Sequence, residues 1–206
     1  MRLSRLAFMI AAIAACAIQP RFAYTQDSER LVRGIAAHDA VLSGESGRLD
    51  EALRLLGSEG WARPPLALAY HGSALTLSAS LAKKAGNLAR ALALLDEGTK
   101  EIDSAEAADP SNPGIRLLRL ENSVALIESS PVDRKTQAAE DLPFLRTKWT
   151  ELRPEDRAVV ELDSGRLALA DSKLDDANAC WRKAVREAPA SDAASRAKKL
   201  LARYGE

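Results

Sequence analysis

Two cysteines and two histidines among 206 residues leave little material for metal binding or cross-linking. Neither His38 nor His71 has a cysteine or a second histidine at ligand spacing, so a zinc site would need carboxylates from distant segments. Both read as satisfied or solvated side chains. Aromatic residues make up only 4% of the chain, which removes the bulky anchors of an ordinary core and leaves Ala and Leu to pack closely. That composition favours helices. Charge is balanced, 29 basic against 29 acidic residues, so no concentrated basic surface for nucleic acid is expected. No Gly-x-Ser-x-Gly elbow and no phosphate-cradling glycine loop is present. No catalytic residue, metal ligand or cofactor is therefore assigned.

Long apolar runs are also missing. The longest, Leu6 to Ile18, has 13 residues, short of the ~20 that span a bilayer as a helix. With Arg2 and Arg5 before it and a polar segment containing Pro20 after it, the layout is that of a secretory signal peptide covering residues 1–25, ahead of one domain at 26–206. Cleavage after Thr25 leaves 26 basic against 29 acidic residues and Cys180 as the sole cysteine, so no intrachain disulfide is possible. Ile13-Ala14-Ala15-Cys16 also resembles a lipobox, in which Cys16 carries a lipid anchor. Cys16 as an ordinary small residue of the apolar run fits better, because the run continues past it. The expected location is periplasmic or secreted, with lipid anchoring to the envelope as the alternative.

What is abundant is spacing. In "SGRLALADSKLDDANACWRKAVREAP", Gly165 is followed by Ser172, Ala177, Trp181, Ala184 and Pro189. Small residues at helical intervals let two antiparallel helices approach, a large one fills the gap beside them, and proline stops the second helix. Gly47, Ala52, Leu56 and Pro64 repeat the steps of Ser172, Ala177, Trp181 and Pro189. The pattern resembles the tetratricopeptide repeat (TPR). The resemblance implies an all-α, right-handed TPR-like solenoid of about four helical hairpins, marked by Ala52, Ala91, Ala138 and Ala177. A capping helix follows, with Ser191 as its cap, Ala194, Ala197, Leu201 and Tyr204 as its apolar stripe, and Gly205 as its stop.

The second unit, from Gly72 through Gly86 to Pro110, reads as a hairpin with both helices lengthened by about two turns. The third opens at the Asn112-Pro113 cap, and its second helix is expected from Ser130-Pro131 through Ala138, Leu142, Leu145, Trp149 and Leu152, with Pro143 kinking or dividing it. The stretches "YHGSALTLSASLAKKAGNLARALALLDEG" and "DPSNPGIRLLRLENSVAL" also resemble a group of small exported bacterial TPR-like proteins, a resemblance that implies no reaction.

TPR first helices line a concave surface, so residues on those helices are the candidates for a partner groove. Arg116, Arg119 and Asn122 fall three apart on one helical face, and Tyr70, Ser73 and Thr76 form a mixed stripe on the preceding first helix. Together they could hold an extended peptide or an anionic group through bidentate arginine. The competing reading pairs the arginines with Asp or Glu of neighbouring helices. Cys180, next to Trp181, reads as a small core residue. The chain is expected to be an exported, non-catalytic protein-binding or adaptor scaffold. The alternatives are an envelope lipoprotein acting in assembly, or an enzyme whose site is assembled across hairpins.

Overall fold

The caps that punctuate the sequence set the element boundaries in the computed structural model, which describes residues 19–57, 61–130 and 132–205. Among the described residues there are nine α-helices, one short 3-10 turn and no strand. Helices α1 (Gln19–Leu42) and α2 (Leu49–Leu56) belong to a first compact unit that ends at Arg63. The second unit, from Pro64, contains α3 (Pro65–Lys84), α4 (Leu88–Ala108), α5 (Pro113–Ser129), α6 (Lys135–Thr147), α7 (Pro154–Ala170), α8 (Leu174–Glu187) and α9 (Asp192–Tyr204). No helix of the described residues is long and apolar enough to cross a membrane. Cys16 and the apolar run to Ile18 lie outside the described residues. The α1 helix runs without a break through Thr25 and Gln26, the position of the expected cleavage.

Proline opens α3, α5 and α7 at the first helical turn, where its missing N–H has no helical partner to lose. Asn112 caps α5 by accepting from the N–H groups of Gly114 and Ile115, and Ser191 caps α9 by accepting from Ala194. In the first unit α1 and α2 pack as a pair, close enough that a methyl on Gly34 would lie 2.6 Å from Leu56 Cδ2. In the second unit α3 pairs with α4, α5 with α6 and α7 with α8, while α9 packs on α8 and α7.

Among the described glycines, the closest backbone-to-backbone approach of two helices is between α3 and α4. A methyl on Gly72 would sit 2.5 Å from the Gly98 carbonyl, and one on Gly98 would sit 2.5 Å from the Gly72 carbonyl, so only glycine lets these backbones meet. In α7 and α8 the corresponding approach is Gly165 against the ring of Trp181, which is fully buried. Trp181 fills the space between the last pair and α9, where Tyr204 stacks at 6.0 Å between ring centroids.

Apolar packing in the second unit follows chain order. Ala69 of α3, Ala105 of α4 and Ile115 and Leu118 of α5 form one cluster. Leu120, Val124, Ala138, Leu145, Leu152 and Val160 form another across α5, α6 and α7. Ala158, Leu162, Ala177, Trp181, Ala184 and Ala197 form a third across α7, α8 and α9. Ala52, Ala91, Ala138 and Ala177, one from each expected hairpin, are all buried.

Three details depart from the expectations. The extension of the second pair is unequal: α4 has 21 residues against 14 in α8, while α3 has 20 against 17 in α7. Along α4, Gly98 and Ile102 are buried while Leu95 is only half-buried. Helix α6 starts at Lys135, not at Ser130-Pro131, because Ser130 Oγ accepts from Val132 N–H and Asp133 accepts from Lys135 N–H, which uses local groups before the helix begins. Pro143 leaves α6 undivided, but the helix ends at Thr147, so Trp149 and Leu152 pack from the turn that follows.

Candidate functional site

The candidate groove residues come together, but as a buried layer and not as an open face. Helix α5 carries Arg116 and Arg119 on the side that meets α4 and α6. Asp141 of α6 has no exposed surface. It is three residues from Ala138 and four from Leu145, both buried, so its carboxylate sits within the inward stripe of its helix. A carboxylate there requires cations, and α5 supplies them.

Arg119, 4% exposed, grips Asp141 with both arms of its guanidinium: Nε donates to Oδ2 at 2.8 Å and Nη2 to Oδ1 at 2.8 Å. It also donates to Glu106 of α4 at 3.1 Å and Glu140 of α6 at 3.0 Å, and pairs with Asp103 of α4 at 3.9 Å. Arg116 donates to Asp141 Oδ1 at 2.9 Å and to the Pro110 carbonyl at 3.2 Å, pairs with Glu106 at 2.6 Å, and stacks over Phe144. Arg134, just before α6, clamps Asp103 of α4 at 2.7 and 2.6 Å. Burial pulls the Arg119 guanidinium down. The hydrogen bond and charge of Asp141, with Glu106 and Asp103, outweigh that and hold it above its ordinary value.

A polar thread continues to α3. Asn122 Nδ2 donates to Thr76 Oγ1 at 2.7 Å, and Thr76 donates to the Ser73 carbonyl at 2.8 Å. Ser73, Thr76, Arg119 and Asn122 are all buried, and only Tyr70 and Arg116 keep part of their surface. The residues expected to line a groove for an anionic group are therefore mostly enclosed. Arg119 already makes bidentate contact with an internal carboxylate, and a ligand would have to displace Asp141 to reach it. The competing reading, arginines paired with neighbouring carboxylates, describes the geometry.

A second polar group lies on α7. Glu161 is buried and receives a short contact from Arg146 of α6, which also donates to Ser164 Oγ at 3.2 Å. The hydrogen bond that Arg146 donates to the Glu161 carboxylate raises its guanidinium despite burial. Asp163, buried, pairs with Arg166 at 2.7 Å, and Arg166 also pairs with Glu128 of α5. Burial pushes the Asp163 carboxyl above its ordinary range, only partly countered by Arg166.

Both histidines are partnered. His71 Nδ1 donates to Glu101 at 2.5 Å between α3 and α4, and His38, fully buried, donates to Asp39 at 3.1 Å. Cys180 is half-buried rather than sealed, and burial followed by the charge of Glu161 pushes its thiol up, away from the thiolate that nucleophilic chemistry needs. Among the described residues no group of three or more His, Cys, Asp or Glu side chains could hold a metal ion.

Sequence reasoning found the arginines and missed their partners. The available signal was a charged residue in an apolar stripe: Asp141 between Ala138 and Leu145, and Glu161 between Ala158 and Leu162. In comparison with known proteins, the chain matches no family model, no curated protein and no solved structure.

Proposed function

We propose that the chain is an exported, non-catalytic protein-binding scaffold built as a right-handed TPR-like array of helical hairpins. The observation that carries this reading is the chain-ordered sequence of small apolar clusters, each shared by successive helix pairs, with close glycine and alanine crossings. Such an arrangement builds an extended surface from short-range contacts, which suits recognition of a protein or peptide. The arginine–carboxylate layer then serves the scaffold by fixing α4, α5 and α6 in register, and a partner meets the side chains that remain accessible along the first helices. Export rests on the layout of residues 1–25 and would give a mature chain that starts at Gln26, or at a lipidated Cys16. Intact-mass measurement distinguishes these from an uncut chain.

Site-specific photo-crosslinking tests the binding face. Crosslinkers at Tyr70, Ala125 and Leu167 on α3, α5 and α7 are expected to trap one partner, competed away by excess unlabelled protein. Crosslinkers at Glu97, Ala139 and Arg182 on α4, α6 and α8 are expected to give far less of it. Equal trapping from both sets, or none from the first, rejects the first-helix face as the binding surface.

A further inference from the structure

The turn end of the α3–α4 pair differs in chemistry from the rest of the chain. From Gly72 to Leu95 there is no acidic residue, while Lys83, Lys84 and Arg90 all fall in that stretch of a chain whose charges balance as a whole. The same end carries Leu81, Leu88 and Leu92, which are 46%, 61% and 56% exposed. Exposed leucines scattered singly are ordinary; three within twelve residues at one hairpin end concentrate apolar surface there.

The backbone places them together. Gly86, at φ +79°, turns the chain between the two helices, whose closest approach is at Gly72 and Gly98. Leu81 lies nine residues beyond Gly72 and Leu88 ten before Gly98, both roughly 15 Å from the crossing along their helices. Leu92 follows Leu88 by one helical turn on the same face. Among the described residues no ion pair engages Lys84 or Arg90, and Lys83 Nζ donates to a neutral acceptor, the Ser129 carbonyl, at 2.9 Å. The nearest acidic residue along α4, Asp96, pairs with Lys100 at 2.6 Å.

We propose that this tip docks on an anionic phospholipid surface, with Leu81, Leu88 and Leu92 entering the acyl boundary and Lys83, Lys84 and Arg90 meeting lipid phosphates. Charge complementarity selects the occupant. Lys84 and Arg90 without an ion pair, and Lys83 with only a neutral acceptor, stand at the same hairpin end as the exposed leucines and match a surface that combines phosphates and hydrocarbon, and the tip has no aromatic residue of the kind that anchors protein interfaces. The inference does not rest on the proposed protein-binding face: α3 contributes only its last turn here, with Leu81, Lys83 and Lys84, and α4 supplies Leu88, Arg90 and Leu92.

Vesicle flotation of the full chain provides the test, using phosphatidylcholine vesicles with and without about a third phosphatidylglycerol. Lys84→Gln/Arg90→Gln and Leu88→Ser/Leu92→Ser, all at exposed positions, serve as variants whose folding is checked by circular dichroism. Each cation near an anionic surface changes partitioning about fivefold, so the charge variant is expected to bind anionic vesicles at least tenfold more weakly. The leucine variant should lose a similar factor, high salt should weaken the wild type, and amides of 81–92 should gain hydrogen-exchange protection on vesicles. Both variants floating like the wild type overturn the proposal, because binding then resides elsewhere in the chain. Equal binding to neutral vesicles overturns the anionic surface. Self-association of the wild type without vesicles, lost in the leucine variant, assigns the patch to a second copy of the chain and also overturns it.

Discussion

Replacing Arg119 by Met and Asp141 by Leu, singly and together, separates a structural role for the buried arginine layer from a binding role. Asp141 accepts three hydrogen bonds from cations, two from Arg119 and one from Arg116, and has no exposed surface. Breaking a buried pair from one side costs ~3–5 kcal/mol, because the other charge is left uncompensated. Here the low end applies: Arg119 keeps Glu106 and Glu140 when Asp141 is lost, and Asp141 keeps Arg116 when Arg119 is lost. Each single change should therefore cost about 3 kcal/mol. The double change removes both charges, leaves Arg116 paired with Glu106, and fills the volume with apolar groups. It should cost at least about 2 kcal/mol less than the sum of the singles. Urea denaturation followed by circular dichroism reads this out. With a slope of about 2 kcal/mol per molar, each single should lower the midpoint by about 1.5 M. Singles costing under ~0.5 kcal/mol, the range of surface changes, would refute the structural assignment, most decisively if partner trapping were lost at the same time.

Two further outcomes follow from the packing and the electrostatics. Gly72→Ala places a methyl 2.5 Å from the Gly98 carbonyl and should destabilise by about 2 kcal/mol or more, whereas Ala at Gly47, which has open space around it, should change stability by under ~1 kcal/mol; comparable urea midpoints for the two variants would contradict the close crossing. Asp163 has its folded pKa raised by burial, so its contribution to stability is greatest below its ordinary value of 3.8 and is lost as pH rises toward the folded value. Asp163→Asn should therefore gain stability relative to the wild type as pH rises from acid to neutral, since Arg166 keeps Glu128 as its partner; a relative loss over that range would show that ionised Asp163 is stabilising.

The parts of this fold that were legible in the sequence are those with a local cause. Asn112-Pro113 and Ser191 announce helix starts because capping needs only a side-chain oxygen within two or three residues of its target. Gly165, Ala177, Trp181 and Ala184 announce a packed pair because small and large residues must alternate where helices cross. What stayed hidden depends on partners distant in sequence. The register of α3 against α4 follows from Gly72 meeting Gly98, and nothing near Gly72 specifies that contact. Arg119 looks available on its own helix. Only the inward position of Asp141 and the reach of Glu106 from α4 turn it into an interior residue.

Native-state hydrogen exchange of Trp181→Ala tests the array most directly. Deleting this buried ring should cost ~3–5 kcal/mol at its site between α7, α8 and α9. In an array where each helix pair contacts only its neighbours, the loss of protection is local. The account predicts a large loss of amide protection across α7, α8 and α9, a smaller one in α5 and α6, and little change in α3 and α4. Equal loss of protection in every helix from Pro65 to Tyr204 would contradict it, because the second unit would then behave as a single cooperative core.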